Sequence, residues 1–329
     1  MIKTTTKEFL KTSKNLLAFS AGIDSTALFF LLKDAEIPFD IAIVDYALRD
    51  QSKEEVAYAQ ELAKRYHKKC FLQKSSKIST NFEATARKIR YAFFEELIAL
   101  HHYENLLTAH HLGDRLEWFL MQFCKGAGCV ELSGMQEIEQ REQYKLIRPL
   151  LDLDKEELLS YLEKNNIIYF QDASNSDEKY KRNYFRNHYT KPLLQKYKNG
   201  IQKSFYYIDK DKELLVKEAL LEKRNALACF KKKNSRSDIY TVDKYLKTQG
   251  HLLTHKERRL LEESKSVVVG RKFIVTQIAE YICIAPYIKV QKLTKTFKEK
   301  MRKAKIDPKL RAYLSSDPEA EAFLSSLLA

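Results

Sequence analysis

Long apolar runs are missing from this chain of 329 residues. The longest, Ala27 to Leu32, is six residues, where about 20 are needed to span a bilayer. A transmembrane helix is therefore excluded. The lysine-rich stretch from Met1 to Ser20 lacks the apolar centre of a signal peptide. Cysteine is scarce as well: five residues, an odd number with no Cys-x-x-Cys pair, make no disulfide framework in a chain this long. These absences lead to the expectation of a cytoplasmic protein without membrane contact. No Gly-x-x-x-x-Gly-Lys-Ser/Thr sequence occurs, which excludes Walker-type phosphate binding. Internal repeats and low-complexity tracts are also lacking.

What is present is enough for a sizeable core, with 44% apolar and 31% charged residues. The charge is unevenly placed. Residues 1–200 carry 30 Lys and Arg against 28 Asp and Glu, a net of +2, whereas residues 201–329 carry 28 against 16, a net of +12. Basic charge confined to one part of a chain is the footprint of a polyanion partner, although a solvated lysine-rich surface looks the same. Aromatics among the basic residues, such as Phe205-Tyr206-Tyr207, are able to stack on unpaired bases or to fill a core.

The first half alternates strand and helix patterns. Strands are expected at Asn15–Phe19, Phe39–Val44, Lys69–Leu72 and Asn105–Ala109, with helices over Ser25–Leu32, Gln51–His67, Asn81–Leu100 and Gly113–Phe123. Such alternation predicts βαβ units in an α/β, doubly wound, mostly parallel sheet, with ligands beyond the carboxyl ends of the strands. A helix at Glu156–Asn165 extends this first domain to residue 200. Residues 201–329 form the expected second domain, a smaller basic α+β unit. Its helical signal runs through Ala228, and a hairpin is expected across Gly270-Arg271-Lys272.

Between the first strand and helix lies Ser20-Ala21-Gly22-Ile23-Asp24-Ser25-Thr26. Small residues here let backbone N–H groups approach an anion, and the helix N-terminus adds a favourable dipole. The hydroxyls of Ser20, Ser25 and Thr26 can donate to phosphate oxygens. Asp24 would repel phosphate unless a cation bridges them, so it reads as a Mg2+ ligand; capping of the helix by Ser20 and Asp24 is the plainer alternative.

This loop resembles the Ser-Gly-Gly-x-Asp-Ser pyrophosphate loop of the N-type ATP pyrophosphatases, with Ala21 at the first glycine. Further segments resemble one branch of them, the tRNA(Ile)-lysidine synthases. Val44-Asp45-Tyr46-Ala47-Leu48-Arg49 is similar to that family's Val-Asp-His-x-Leu-Arg, and Glu83-Ala84-Thr85-Ala86-Arg87-Lys88-Ile89-Arg90-Tyr91 to its Glu-Ala-x-Ala-Arg-x-x-Arg-Tyr helix. Thr108-Ala109-His110-His111-Leu112-Gly113-Asp114-Arg115-Leu116-Glu117, followed by Lys125-Gly126-Ala127-Gly128, resembles Ala-His-His-x-Asp-Asp-Gln-x-Glu-Thr and Arg-Gly-Ser-Gly, with Gly113 and Trp118 at an Asp and a Thr. Adjacent histidines diverge, which disfavours zinc. Arg148-Pro149-Leu150-Leu151, the stretch from Asp172 through Asn175 to Asp177, and Arg182-Asn183-Tyr184-Phe185-Arg186 complete the resemblance.

The resemblance implies adenylation of the wobble cytidine of an isoleucine tRNA with a CAU anticodon, using ATP and Mg2+. The side-chain amine of free L-lysine then attacks, giving lysidine, AMP and pyrophosphate. It implies catalytic roles for Asp24, Arg87, Asp114 and Glu117, and nucleotide contacts from Ser20, Ala21, Gly22, Ile23, Asp24, Ser25, Thr26, Asp45 and His110. Arg49, Glu83, Arg90, His111, Lys125, Arg148, Asn175, Asp177, Arg182 and Arg186 would contact lysine or tRNA. A homodimer is left open. The alternatives are a tRNA thiolase of the same superfamily, which needs cysteines that here read better as buried structural ones, and an inactive tRNA-binding relative.

Overall fold

The computed structural model describes residues 1–46, 51–75, 78, 82–171, 181–289 and 292–328. They divide into two compact units, Met1–Lys210 and Asp211–Ala329.

The first unit is built on strands β1 (Asn15–Ala18), β2 (Phe39–Asp45), β3 (Cys70–Lys74), β4 (Asn105–Leu107), β5 (Ile138–Gln140) and β6 (Lys145–Ile147). Their order is β3-β2-β1-β4-β6-β5. Every pair is parallel except β5 with β6. The helices are α1 (Thr4–Lys11), α2 (Ile23–Asp34), α3 (Gln51–Arg65), α4 (Phe82–His101), α5 (Leu112–Phe123), α6 (Cys129–Ser133), α7 (Lys155–Lys164) and α8 (Lys181–Phe185). A π-helical turn, Arg186–Thr190, leads into α9 (Lys191–Leu215), which kinks at Tyr197.

Alternation along β1 sends its side chains to two opposite cores. Leu17 packs with Leu28, Phe29 and Leu32 of α2, while Leu16 packs with Phe94, Leu97 and Ile98 of α4. Residues 25–32 of α2 are buried throughout, which accounts for their unbroken apolar run. Phe29 alone meets four rings, those of Phe19, Phe30, Phe39 and Tyr66. Beneath the sheet, the buried Asn15 and Asn105 bond one another at 2.9 Å and tie β1 to β4. From β1 the chain builds outward to β3, then returns to β4 on the other side. The strand order therefore reverses between β1 and β4, and their carboxyl ends open the crevice that binds ligands in such sheets.

The second unit carries an antiparallel sheet of order β7-β8-β11-β10-β9, made from β7 (Glu222–Arg224), β8 (Leu227–Lys231), β9 (Ser266–Val269), β10 (Phe273–Ile278) and β11 (Tyr281–Pro286). The helical signal expected through Ala228 stops at Leu215, and Leu227–Lys231 is a strand. A five-residue apolar run, Ala226 to Phe230, is too short to show a period of its own. Here Leu227 and Cys229 face the helices α12 (Lys295–Lys303), α13 (Pro308–Ser316) and α14 (Pro318–Leu327). Ala228 and Phe230 face α10 (Ser235–Thr248), beyond which α11 (His255–Glu263) lies against β9. The expected hairpin is present: β9 pairs with β10, and Gly270 and Arg271 both take the positive φ that its turn requires.

Candidate active site

The loop after β1 is a turn braced from within. Ala21 adopts φ 58° and is fully buried, and its carbonyl accepts the Phe170 N–H at 3.0 Å. Gly22 has ordinary extended geometry, φ −73°, as the residue before α2. The Ser25 hydroxyl donates to the Gly22 carbonyl at 3.2 Å and accepts the Ser20 N–H at 3.2 Å. Ser25 is thus a brace, and the exposed Ser20 hydroxyl, 3.1 Å from it, is the one turned to solvent. Thr26 is fully buried, and Ile23 packs on the core.

Asp24 sits in the first turn of α2. Its Oδ1 is buried and has no hydrogen-bond partner among the described residues. An orphaned carboxylate oxygen beside a small-residue turn fits a magnesium ion that keeps most of its ligands from phosphate and water.

The loop after β4 reaches the same place. The His111 Nδ1 accepts the Gly113 N–H at 3.0 Å, which puts the imidazole proton on Nε2. That nitrogen lies 3.6 Å from Asp114 Oδ2 and 3.9 Å from Asp24 Oδ2. Asp114 in turn accepts the His111 backbone N–H at 3.0 Å, closing a capping box on α5. Gly113 is explained by this contact. A Cβ there would lie 2.7 Å from His111 Cε1, so the ring occupies the space where any side chain would stand. Trp118 likewise fills the space a Cβ at Gly134 would need, 2.4 Å from its Cδ1.

Behind His111 lies a saturated ion cluster. Arg182 donates to Asp114 Oδ1 at 2.6 Å and to Glu117 Oε2 at 2.8 Å. Arg186 donates to Glu117 Oε1 at 2.5 Å and Oε2 at 3.2 Å. Glu117 is 1% exposed, a position a carboxylate holds only when paired. Burial opposes ionisation of Asp114, yet His111 and Arg182 beside it hold its carboxyl well below the usual range. Burial also pushes the His110 imidazole down to about 4, helped by Arg148, Arg182 and Arg87. His110 is therefore neutral near pH 7, its Nδ1 2.9 Å from the Thr108 hydroxyl.

The remaining candidates separate into near and far. Arg87 and Glu83, both exposed on α4, act electrostatically on His110 and Arg182 respectively. Arg87 also lies over the Tyr91 ring at 4.7 Å. Asp45 is half-buried at the end of β2, and the neighbouring Tyr46 donates to the Ala86 carbonyl at 3.0 Å. Arg90, exposed on α4, acts on that tyrosine. Arg148 is 4% exposed and committed to the Gln136 carbonyl and Glu139. Lys125 is exposed past the far end of α5, which itself lies roughly 18 Å along the helix from His111. Arg49, Asn175 and Asp177 lie outside the described residues. Sequence reasoning missed two supports: Phe170 under the loop, and Arg115, buried over the Phe205 ring and bonded to Asp209 at 2.5 Å. Neither stands in a pattern that spacing would reveal.

The cysteines are not all buried as expected. Cys124 is exposed, Cys70 and Cys129 are half-buried, and Cys229 and Cys283 are buried in the second unit. No group of three or more His, Cys, Asp or Glu able to hold a metal occurs among the described residues. No described helix is long and apolar enough to cross a membrane.

The chain matches the PP-loop domain family over residues 1–193. A tRNA(Ile)-lysidine synthase of Helicobacter pylori is 43% identical over 94% of this chain and 92% of its own. Those of Campylobacter jejuni strain RM1221 and Wolinella succinogenes are 42% and 43% identical over 93% of this chain, and over 93% and 94% of theirs. Among solved structures, a U34-tRNA thiolase from Methanococcus maripaludis shares the fold, with TM-score 0.52 and 17% identity over 62% of this chain and 74% of that one. With a PP-loop, the switch-point crevice behind it and a likeness that runs nearly from end to end, the chain belongs to the tRNA(Ile)-lysidine synthase family.

Proposed function

We propose that the crevice between β1 and β4 binds ATP and the wobble cytidine of an isoleucine tRNA with a CAU anticodon, and joins free L-lysine to that base. The enzyme is a carbon–nitrogen ligase. In the first step the cytidine C2 oxygen attacks the α-phosphorus, the bond from that phosphorus to the bridging oxygen breaks, and pyrophosphate leaves. In the second, the lysine side-chain amine attacks C2, the C2–O bond breaks, AMP leaves and the nitrogen loses a proton. A carbonyl-type oxygen leaves poorly; as an AMP ester it leaves readily.

The Ser20–Thr26 turn receives the β- and γ-phosphates on backbone N–H groups and the Ser20 hydroxyl. Asp24 would hold Mg2+, which supplies positive charge to the departing pyrophosphate. His111 fixes the far side of Asp24, and Asp114 and Glu117 with their arginines hold His111 in place. His110, neutral, packs at the strand end where the adenosine part would lie. The target base has to leave its stack, at low cost in a single-stranded anticodon loop. The basic second unit contributes phosphate contacts to the tRNA body.

The observation that carries this reading is the orphaned Asp24 oxygen set against His111, inside a series of motifs from Ser20 to Arg186 that resembles that of the lysidine synthases. The test is AMP release from ATP with Mg2+, labelled lysine and a transcript of the tRNA, leaving out each in turn. Release that needs both tRNA and lysine, with label retained on the RNA, is the expected result. Release indifferent to lysine would reassign the chain to another tRNA modification, and tRNA binding without release would make it an inactive relative.

A further inference from the structure

The segment that delivers Arg182 and Arg186 to the carboxylates has a second face. Tyr184 and Tyr189 on it are 41% and 44% exposed, with their rings 5.9 Å apart. Tyr184 also lies 4.3 Å from the His188 ring at 32°, and Phe185 lies 5.3 Å from Tyr189. Cys124 acts electrostatically on Tyr189, so the end of α5, where Phe123 is exposed, borders the same surface.

Single exposed aromatics need no explanation, but a group of rings around one π-helical turn does. The surrounding charge narrows what would cover it. Residues 181–198 hold six Lys and Arg and no Asp or Glu; Arg182 and Arg186 are spent on Asp114 and Glu117, and Lys198 on Asp154 and Glu157, while Lys181, Lys191 and Lys196 are exposed. Rings flanked by cations of one sign suit single-stranded nucleic acid: bases stack on the rings and phosphates pair with the cations. The position matters too. Tyr184 is two residues from both arginines that bond Asp114 and Glu117, so what stacks there is a close neighbour of whatever occupies the crevice. A base extruded for reaction leaves the nucleotide beside it without a stacking partner, and an aromatic ring replaces that partner.

We infer that Tyr184 and Tyr189 form a stacking platform for an unpaired nucleobase adjacent to the reacting cytidine, a role that rests on the RNA-modifying reading above. These two residues would set the affinity for the loop rather than take part in bond making.

The experiment compares the wild type with the Tyr184→Ala/Tyr189→Ala and Tyr184→Phe/Tyr189→Phe variants. The substrates are the intact transcript and transcripts with one abasic nucleotide on either side of the target cytidine. The alanine pair should raise KM for the intact tRNA about tenfold. KM for ATP and the thermal midpoint should stay in place, and the phenylalanine pair should behave as wild type. One abasic transcript should penalise the wild type and leave the alanine pair no worse than before. An alanine pair with wild-type KM, or one still penalised by both abasic transcripts, overturns the platform. So does a rise in KM that tracks a change in sedimentation, which would make the surface a contact between copies of the chain. A wild type that forms no lysidine on the intact transcript defeats the earlier reading instead, and is told apart by that control alone.

Discussion

Two carboxylate-bearing regions meet at His111 and are built on opposite principles. On the β1 side, Asp24 keeps a buried oxygen without a partner among the described residues. On the α5 side, Asp114 and Glu117 are saturated by Arg182 and Arg186. The first region holds unspent binding capacity, since an unpaired buried carboxylate oxygen is a standing cost until a cation meets it. The second has no capacity to spare, and its geometry fixes where His111 points. One side is made to bind and the other to hold, and substitutions should separate the two.

The largest effect is expected on the holding side. Glu117→Gln leaves two arginines facing a neutral amide in a buried site, where breaking a paired charge costs about 3–5 kcal/mol. For a chain of this size that lowers the thermal midpoint by about 10 °C, and activity falls with it. Asp24→Asn should do the reverse. It removes the charge that would meet a cation but breaks no ion pair among the described residues except the long contact to His111. Turnover should fall roughly 10²–10³-fold while the melting curve stays in place. Paired melting curves and turnover assays on both variants check the contrast. Equal destabilisation by the two changes would erase it.

A pH titration sharpens it further. His110 has its folded value pushed down to about 4 from an ordinary 6.5. Its neutral form in the fold therefore contributes stability that is fully present above 6.5 and lost as pH falls toward 4. The shift corresponds to about 3 kcal/mol across that window. Asp114, also held low, keeps its contribution above the usual carboxylate value and loses it only at more acidic pH. Chemical denaturation between pH 7 and 4 should show wild-type stability falling. A His110→Gln variant should show a flatter dependence over the same range.

The parts legible in the sequence were those with a period or a motif. The alternating strands and helices of the first unit follow from apolar periodicity and strand–helix spacing, whereas the choice of the β1 and β4 ends among the strand ends follows only from the strand order. Asp24, His111, Asp114 and Glu117 follow from motif order. That Glu117 would be locked by Arg182 and Arg186 was not legible, because 65 and 69 residues separate the partners and only the fold closes that distance. The helical signal was carried too far, through Ala228, because a short apolar run satisfies a strand buried on both faces as well as a helix. Phe170 escaped notice for a different reason. It supports the loop through its backbone N–H, which every residue but proline carries, so no residue type marks the position.

Ala21 offers the smallest and finest test of the binding side. Its φ of 58° lies where an alanine is held at a cost of about 1–2 kcal/mol and a glycine is at ease. Ala21→Gly relieves that strain. It also gives up a fully buried methyl, worth about 0.8 kcal/mol, and loosens the unfolded chain by a further 0.4–1 kcal/mol or so. The sums nearly cancel, so the melting midpoint should move by less than about 3 °C. The turn itself is held by the Phe170 N–H on the Ala21 carbonyl and by Ser25 on the Ser20 N–H and the Gly22 carbonyl, none of which depends on the methyl. KM for ATP should therefore stay within about twofold of wild type. A tenfold fall in that KM would mean that the methyl, rather than the backbone brace, sets how closely phosphate approaches, and that the binding side is strained by its own sequence.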